Sequence, residues 1–92
     1  MADFLMLMRT EEGDSAQWSA YIDSLLASGC FRGGSALGNG ICVSRDDHAG
    51  ACVTTGFMRF EAGSRDDVLA LLPGNPVYEA GGEIEILELV ES

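Results

Sequence analysis

Phe4-Leu5-Met6-Leu7-Met8 is apolar at every position, so a strand through it presents an apolar side chain to each side of its sheet. Such a strand belongs in the middle of a sheet. With 92 residues there is room for only two helices, enough to cover one face. The other face must meet something outside the chain, and a second copy of the chain is the expected cover.

Working outward from this run, the first strand spans residues 3–9 and stops at Thr10-Glu11-Glu12-Gly13. Asp14 reads as a helix N-cap with Gln17 in capping-box position. The helix it opens carries Trp18, Tyr21, Ile22, Leu25 and Leu26, a stripe at i, i+3, i+4, i+7 and i+8. Ser28-Gly29 ends it. Gly33-Gly34-Ser35-Ala36-Leu37-Gly38-Asn39-Gly40 reads as a flexible loop, and Ile41-Cys42-Val43 as the start of a second strand. Asp46-Asp47-His48-Ala49-Gly50 supplies turn chemistry, and residues 52–62 return as a long third strand, which makes a hairpin.

Ser64-Arg65-Asp66-Asp67 is a second capping box, leading into Val68, Leu69, Leu71 and Leu72, and Pro73-Gly74-Asn75-Pro76 breaks that helix. Residues 83–90 alternate as a final strand, with a change of parity between Ile86 and Leu87 that calls for a bulge or for apolar side chains on both faces. The order is β-α-β-β-α-β in a single domain over residues 1–92. This is the ferredoxin-like α+β arrangement: a four-stranded antiparallel sheet, two helices on one face, strands one and three in the middle. The glutamates of strand four suit an edge.

Composition narrows the function classes. The net charge of −10 sets five arginines against fifteen carboxylates, which disfavours nucleic acids and anionic membrane surfaces as partners. There is no lysine, so Walker-type phosphate loops and Schiff-base chemistry are excluded. Apolar runs stop far short of the ~20 residues that a membrane helix needs. Met1-Ala2-Asp3 carries no basic leader, so a cytoplasmic protein is expected. Cys30, Cys42 and Cys52 lack metal or redox spacing and read as buried thiols, although Cys42 and Cys52 could approach across the hairpin. No metal or cofactor is expected.

The opening strand ending in Arg9, Trp18 and Tyr21 in the first helix, the glycine-rich stretch after Ser28-Gly29, Thr55-Gly56-Phe57-Met58-Arg59-Phe60-Glu61-Ala62, and above all Gly74-Asn75-Pro76-Val77-Tyr78-Glu79-Ala80-Gly81-Gly82 together resemble the YCII-related proteins of the dimeric α/β-barrel superfamily. The resemblance covers nearly the whole chain. It implies two ferredoxin-like subunits packed sheet against sheet. Some members of that family carry a His in the first helix and an Asp in the following loop, a dyad for catalysis or ligand binding. Counted back from Gly29, the His position falls on Trp18, and residues 34–37 hold no carboxylate. Of the Asp-Gly-Pro-Phe motif of a related branch only Gly56 and Phe57 remain, with Thr55 before them. The dyad chemistry does not carry over, and no catalytic residue is assigned.

Arg9 and Arg59 lie on central strands, where a charge needs a partner or water. The assumed topology gathers Arg9, Trp18, His48, Asn75, Tyr78 and Glu79 at one end of the sheet. With Arg59 they form the candidate ligand-binding set, a pocket for a small anion anchored by arginine and walled by an aromatic. The competing reading makes Arg9 half of a structural ion pair, His48 a solvated hairpin tip, and Asn75 and Glu79 the ordering residues of their own loop. Three functions follow from these readings: a homodimeric binder of a small anionic molecule, a non-catalytic regulatory or protein-interaction module, and a small oxygenase- or isomerase-like enzyme.

Overall fold

A computed structural model of the chain describes residues 1–9, 15–45 and 52–90, so the Asp14 cap and the Asp46-Asp47-His48 turn lie outside the described residues. The elements are β1 (Ala2–Arg9), α1 (Ser15–Ser28), β2 (Phe31–Ala36), β3 (Thr54–Ala62), α2 (Arg65–Leu69), α3 (Pro76–Glu79) and β4 (Glu83–Leu89). They form a four-stranded sheet in the order β2-β3-β1-β4, antiparallel at every pairing, with the helices on one face.

The apolar run sits where its composition requires. β1 pairs with β3 (Phe4 with Phe60, Met6 with Met58) and with β4 (Met6 with Ile86, Met8 with Ile84). Phe4, Met6 and Met8 point toward the helices and are buried with Met58, Phe60, Ala62, Tyr21, Leu25, Val68 and Val77. Leu5 and Leu7 point the other way and are half-buried. In β4 the register against β1 is unbroken from Glu83 to Leu89, so the parity change is no bulge. Ile84 and Ile86 pack on the core, while Leu87 and Leu89 emerge on the opposite face and are exposed.

Three expectations are corrected. First, β2 is not at Ile41-Cys42-Val43 but at Phe31–Ala36, running into the stretch that reads as a loop; Cys42 makes only an isolated bridge. The reason is close approach. A Cβ on Gly34 would collide with the Phe57 carbonyl and lie 2.9 Å from Met58 Cα, so only glycine lets this edge strand press against β3. Gly33, at φ 107°, accommodates the register shift between Phe31 and Gly34. Second, the helix read through Leu72 stops at Leu69 with Ala70 as its C-cap, ahead of Pro73, and the Pro73-Gly74-Asn75-Pro76 stretch opens another helix, because Asn75 caps α3 and Pro76 occupies its first turn. Third, Leu26 leaves the α1 stripe and is 63% exposed, whereas Tyr21 and Leu25 are buried and Trp18 and Ile22 pack on the core.

Ser64 caps α2 as read, with the Asp67 amide donating to its Oγ. Cys30 is half-buried, but Cys42 and Cys52 are exposed rather than buried, since both lie on the extension between β2 and β3. Opposite Cys52 stands Gly40, whose Cβ would sit 3.4 Å from the Cys52 sulfur.

Candidate functional site

The sheet divides the candidate residues into two groups. On the helix side, Asn75 is wholly buried. Its Oδ1 accepts from the Val77 and Tyr78 amides at 2.9 and 3.1 Å, and its Nδ2 lies 3.7 and 3.6 Å from the sulfurs of Met6 and Met8. Tyr21 shares a hydrogen bond with the Asn75 side chain and donates its hydroxyl to the Leu71 carbonyl at 2.7 Å. Burial raises the Tyr21 pKa above its ordinary 10.0, and the bond to Asn75 opposes that rise. Trp18 meets Tyr21 edge to face at 6.3 Å between ring centres.

Glu79 accepts from the Gly74 amide at 3.0 Å, which closes the loop ahead of α3. Trp18 and Asn75 are thus linked through Tyr21, while Tyr78 is about half exposed. Alongside this network an open groove of about 470 Å³ runs between α1 and the loop at 73–79, lined by Gln17, Ala20, Tyr21, Gly74 and Glu79.

On the helix-free face lie both candidate arginines. Arg9 at the end of β1 is directly opposite Glu83 on β4, with Glu85 one same-face step along. Its guanidinium pairs with Glu85 and reaches Glu83 at 3.9 Å. The expected neighbourhood is therefore split: Arg9 is separated by the sheet from Trp18, Asn75 and Tyr78. Sequence reading placed Glu83 and Glu85 as edge guards and missed them as the partners of Arg9. The signal was available in their i, i+2 spacing, but only the pairing register brings them to Arg9. His48 lies outside the described residues.

Arg59 projects from β3 on the same open face, opposite Leu5, with Phe57 and Glu61 as its same-face neighbours. Glu61 is engaged by Arg32 at 3.8 Å. Among the described residues Arg59 makes no ion pair, and it is exposed. The face around it is apolar at its centre, with Leu5, Leu7, Phe57, Leu87 and Leu89. Among the described residues, three arginines, Arg9, Arg32 and Arg59, lie on or reach over this face with four carboxylates, Asp3, Glu61, Glu83 and Glu85. Counted over the described residues, it is close to charge-balanced in a chain of net charge −10.

Among the described residues no group of three or more His, Cys, Asp or Glu is placed to hold a metal ion, and no helix is long and apolar enough to cross a membrane.

The fold and these two faces define a small α+β protein of ferredoxin-like topology with one sheet face uncovered. Among solved structures, the chain is similar to 5-chloro-2-hydroxyhydroquinone dehydrochlorinase from Burkholderia phenoliruptrix AC1100, in complex with 2,5-dihydroxybenzoquinone. The two are 20% identical, the match covers 98% of this chain and 95% of that one, and the TM-score is 0.62. At that identity the likeness shows the shared fold. No family model matches the chain, and no curated protein matches it by sequence.

Proposed function

We propose that the protein is a YCII-related homodimer that binds a small organic anion, with its subunits meeting through the open sheet face and Arg59 as the anchor. One observation carries this reading: Arg59 is a guanidinium without a carboxylate partner among the described residues, set beside Leu5 and Phe57 on an apolar, nearly charge-balanced face. Covering that face removes apolar surface from water and brings copies together where their like-charge repulsion is weakest. An enclosed guanidinium then selects a carboxylate or phenolate. The dehydrochlorinase of like fold, in complex with a dihydroxyquinone, is a precedent for a small oxygenated ring in this architecture.

The test is light scattering together with thermal shift against small organic carboxylates and phenolates. A dimer whose melting temperature rises with one of these ligands, and an Arg59→Met variant that stays dimeric but loses the rise, would support the reading. A species of 9.7 kDa at micromolar concentration would overturn the dimer, and an unchanged ligand response in Arg59→Met would overturn the anchor.

A second reading, a regulatory or interaction module without a ligand, is favoured by the engagement of Arg9 with Glu83 and Glu85, which makes that arginine a strut between β1 and β4. The same panel separates the two, since a module gives no thermal response to any small anion.

A further inference from the structure

The pairing of β2 with β3 leaves a bare strip on the open face. Met58 and Phe60 face Gly34 and Phe31, so Arg59 between them stands opposite the bulged pair Arg32-Gly33. Arg32 turns to Glu61 at 3.8 Å and to the carbonyls of Gly29 and Phe31 at 2.9 and 3.1 Å. Gly33 and Gly34 carry no side chain, and the next open-face residue of β2 is the exposed Ser35, opposite Phe57. A Cβ on Gly33 would meet no atom beyond its chain neighbours within 4 Å. Beside Arg59 and Phe57, β2 therefore offers only glycine backbone and one small hydroxyl, a trough walled by the side chains of β3.

Charge and spacing define the occupant. Arg59 is exposed and has no carboxylate partner among the described residues, whereas Arg9 is engaged by Glu85 and Glu83, and Arg32 by Glu61. One guanidinium balances one anionic charge; a dianion would leave its second charge near Glu61 and Asp3, which share the face. Arg59 and Phe57 stand two residues apart on an extended strand, about 6.7 Å. That is the reach of one six-membered ring with a carboxylate on it. A flat ring fits because backbone without side chains lets it lie close, and Phe57 offers it an aromatic neighbour. A carboxylate is ionised at neutral pH and matches the guanidinium fork, where a phenol, with an ordinary pKa of about 10, stays neutral.

We propose that this trough takes a small aromatic monocarboxylate, its ring over Gly33 and Gly34 against Phe57 and its carboxylate on Arg59; the inference rests on the anion-binding reading above and names its ligand class. Because β2 is an edge strand, the trough opens at the rim of the sheet and stays reachable when the middle of the face is covered. Ser35 closes one end, where added bulk competes with the ring for the same space. Its hydroxyl serves only the neighbouring Ala36 carbonyl, at 2.8 Å, so a substitution there costs the fold little.

Isothermal titration calorimetry on the full chain tests the trough with benzoate, cyclohexanecarboxylate and inorganic phosphate as probes. Benzoate is expected to saturate at one per chain. Cyclohexanecarboxylate, equal in charge but puckered, and phosphate should each bind more weakly by about tenfold or more. Ser35→Leu fills the trough and should weaken benzoate by about tenfold or more at an unchanged circular-dichroism spectrum, while Arg59→Met should abolish binding. Native benzoate affinity in a folded Ser35→Leu, or cyclohexanecarboxylate or phosphate as tight as benzoate, would overturn the trough; loss of binding in Arg59→Met would then leave the anion anchor standing. Should Ser35→Leu fail to fold, the comparison of the two ring acids on the native chain decides by itself. Binding of none of the three probes would overturn the trough, and the anion-binding reading falls with it only if the wider panel of carboxylates and phenolates is also without effect.

Discussion

Asn75 is the residue on which the helix side of the sheet turns. Its carboxamide is buried, caps α3 through two backbone amides, and lies against the Met6 and Met8 sulfurs, so Asn75→Ala leaves buried donors without acceptors. A loss of about 1–3 kcal/mol in urea unfolding is expected. Tyr21 gives folding a pH signature. Its folded pKa is raised by burial above 10.0, so folding favours the protonated phenol. The unfolded chain sheds that proton first as pH rises past 10.0; stability is therefore fully present below this value and is lost above it, up through the folded pKa. Tyr21→Phe should flatten this alkaline decline in a series of unfolding curves, while lowering stability near neutrality by about 1 kcal/mol through loss of the bond to the Leu71 carbonyl.

At the scale of elements, β2 tests how a strand can be made of glycines. Its pairing depends on Gly34 lying against the Phe57 carbonyl and Met58, and Gly34→Ala must push the edge strand off β3. A cost of about 1–3 kcal/mol is expected in denaturant unfolding, with loss of amide protection in β2 before the rest of the sheet. The sequence rules that mark caps were legible here: Ser64 binds the Asp67 amide where the capping box placed it. Those that mark strands failed at β2, because glycine signals turns in local sequence and signals close backbone approach only once its neighbour strand is in place. The β1–β4 tie is of another kind. Arg9 and its glutamates keep substantial contact with water, so Arg9→Met should change the unfolding free energy by less than about 1 kcal/mol, and the small difference should shrink in high salt.

For the whole molecule, the uncovered face makes stability a matter of concentration. If two copies share Leu5, Leu7, Phe57, Leu87 and Leu89, each tenfold dilution weakens the assembly by about 1.4 kcal/mol, and the melting temperature falls with it. A calorimetric series from hundreds of micromolar to one micromolar reads this directly, and a constant melting temperature would show a self-sufficient subunit. The candidate site was legible only as residue types. Arg9, Arg59, Trp18 and Asn75 all stand out in the sequence, but nothing local says that a sheet lies between the first pair and the second.

The run of elements apart from α3, the central place of the apolar strand, the Ser64 cap and the acidic edge are all written in residues close along the chain, because period, propensity and turn chemistry act locally. That residues 31–36 rather than 41–43 form β2, that Glu83 and Glu85 are the partners of Arg9, and that Arg59 faces outward among leucines emerge only from strand pairing. Each of these depends on pairing register between strands far apart in sequence, and a register is fixed by how whole faces fit rather than by any one residue.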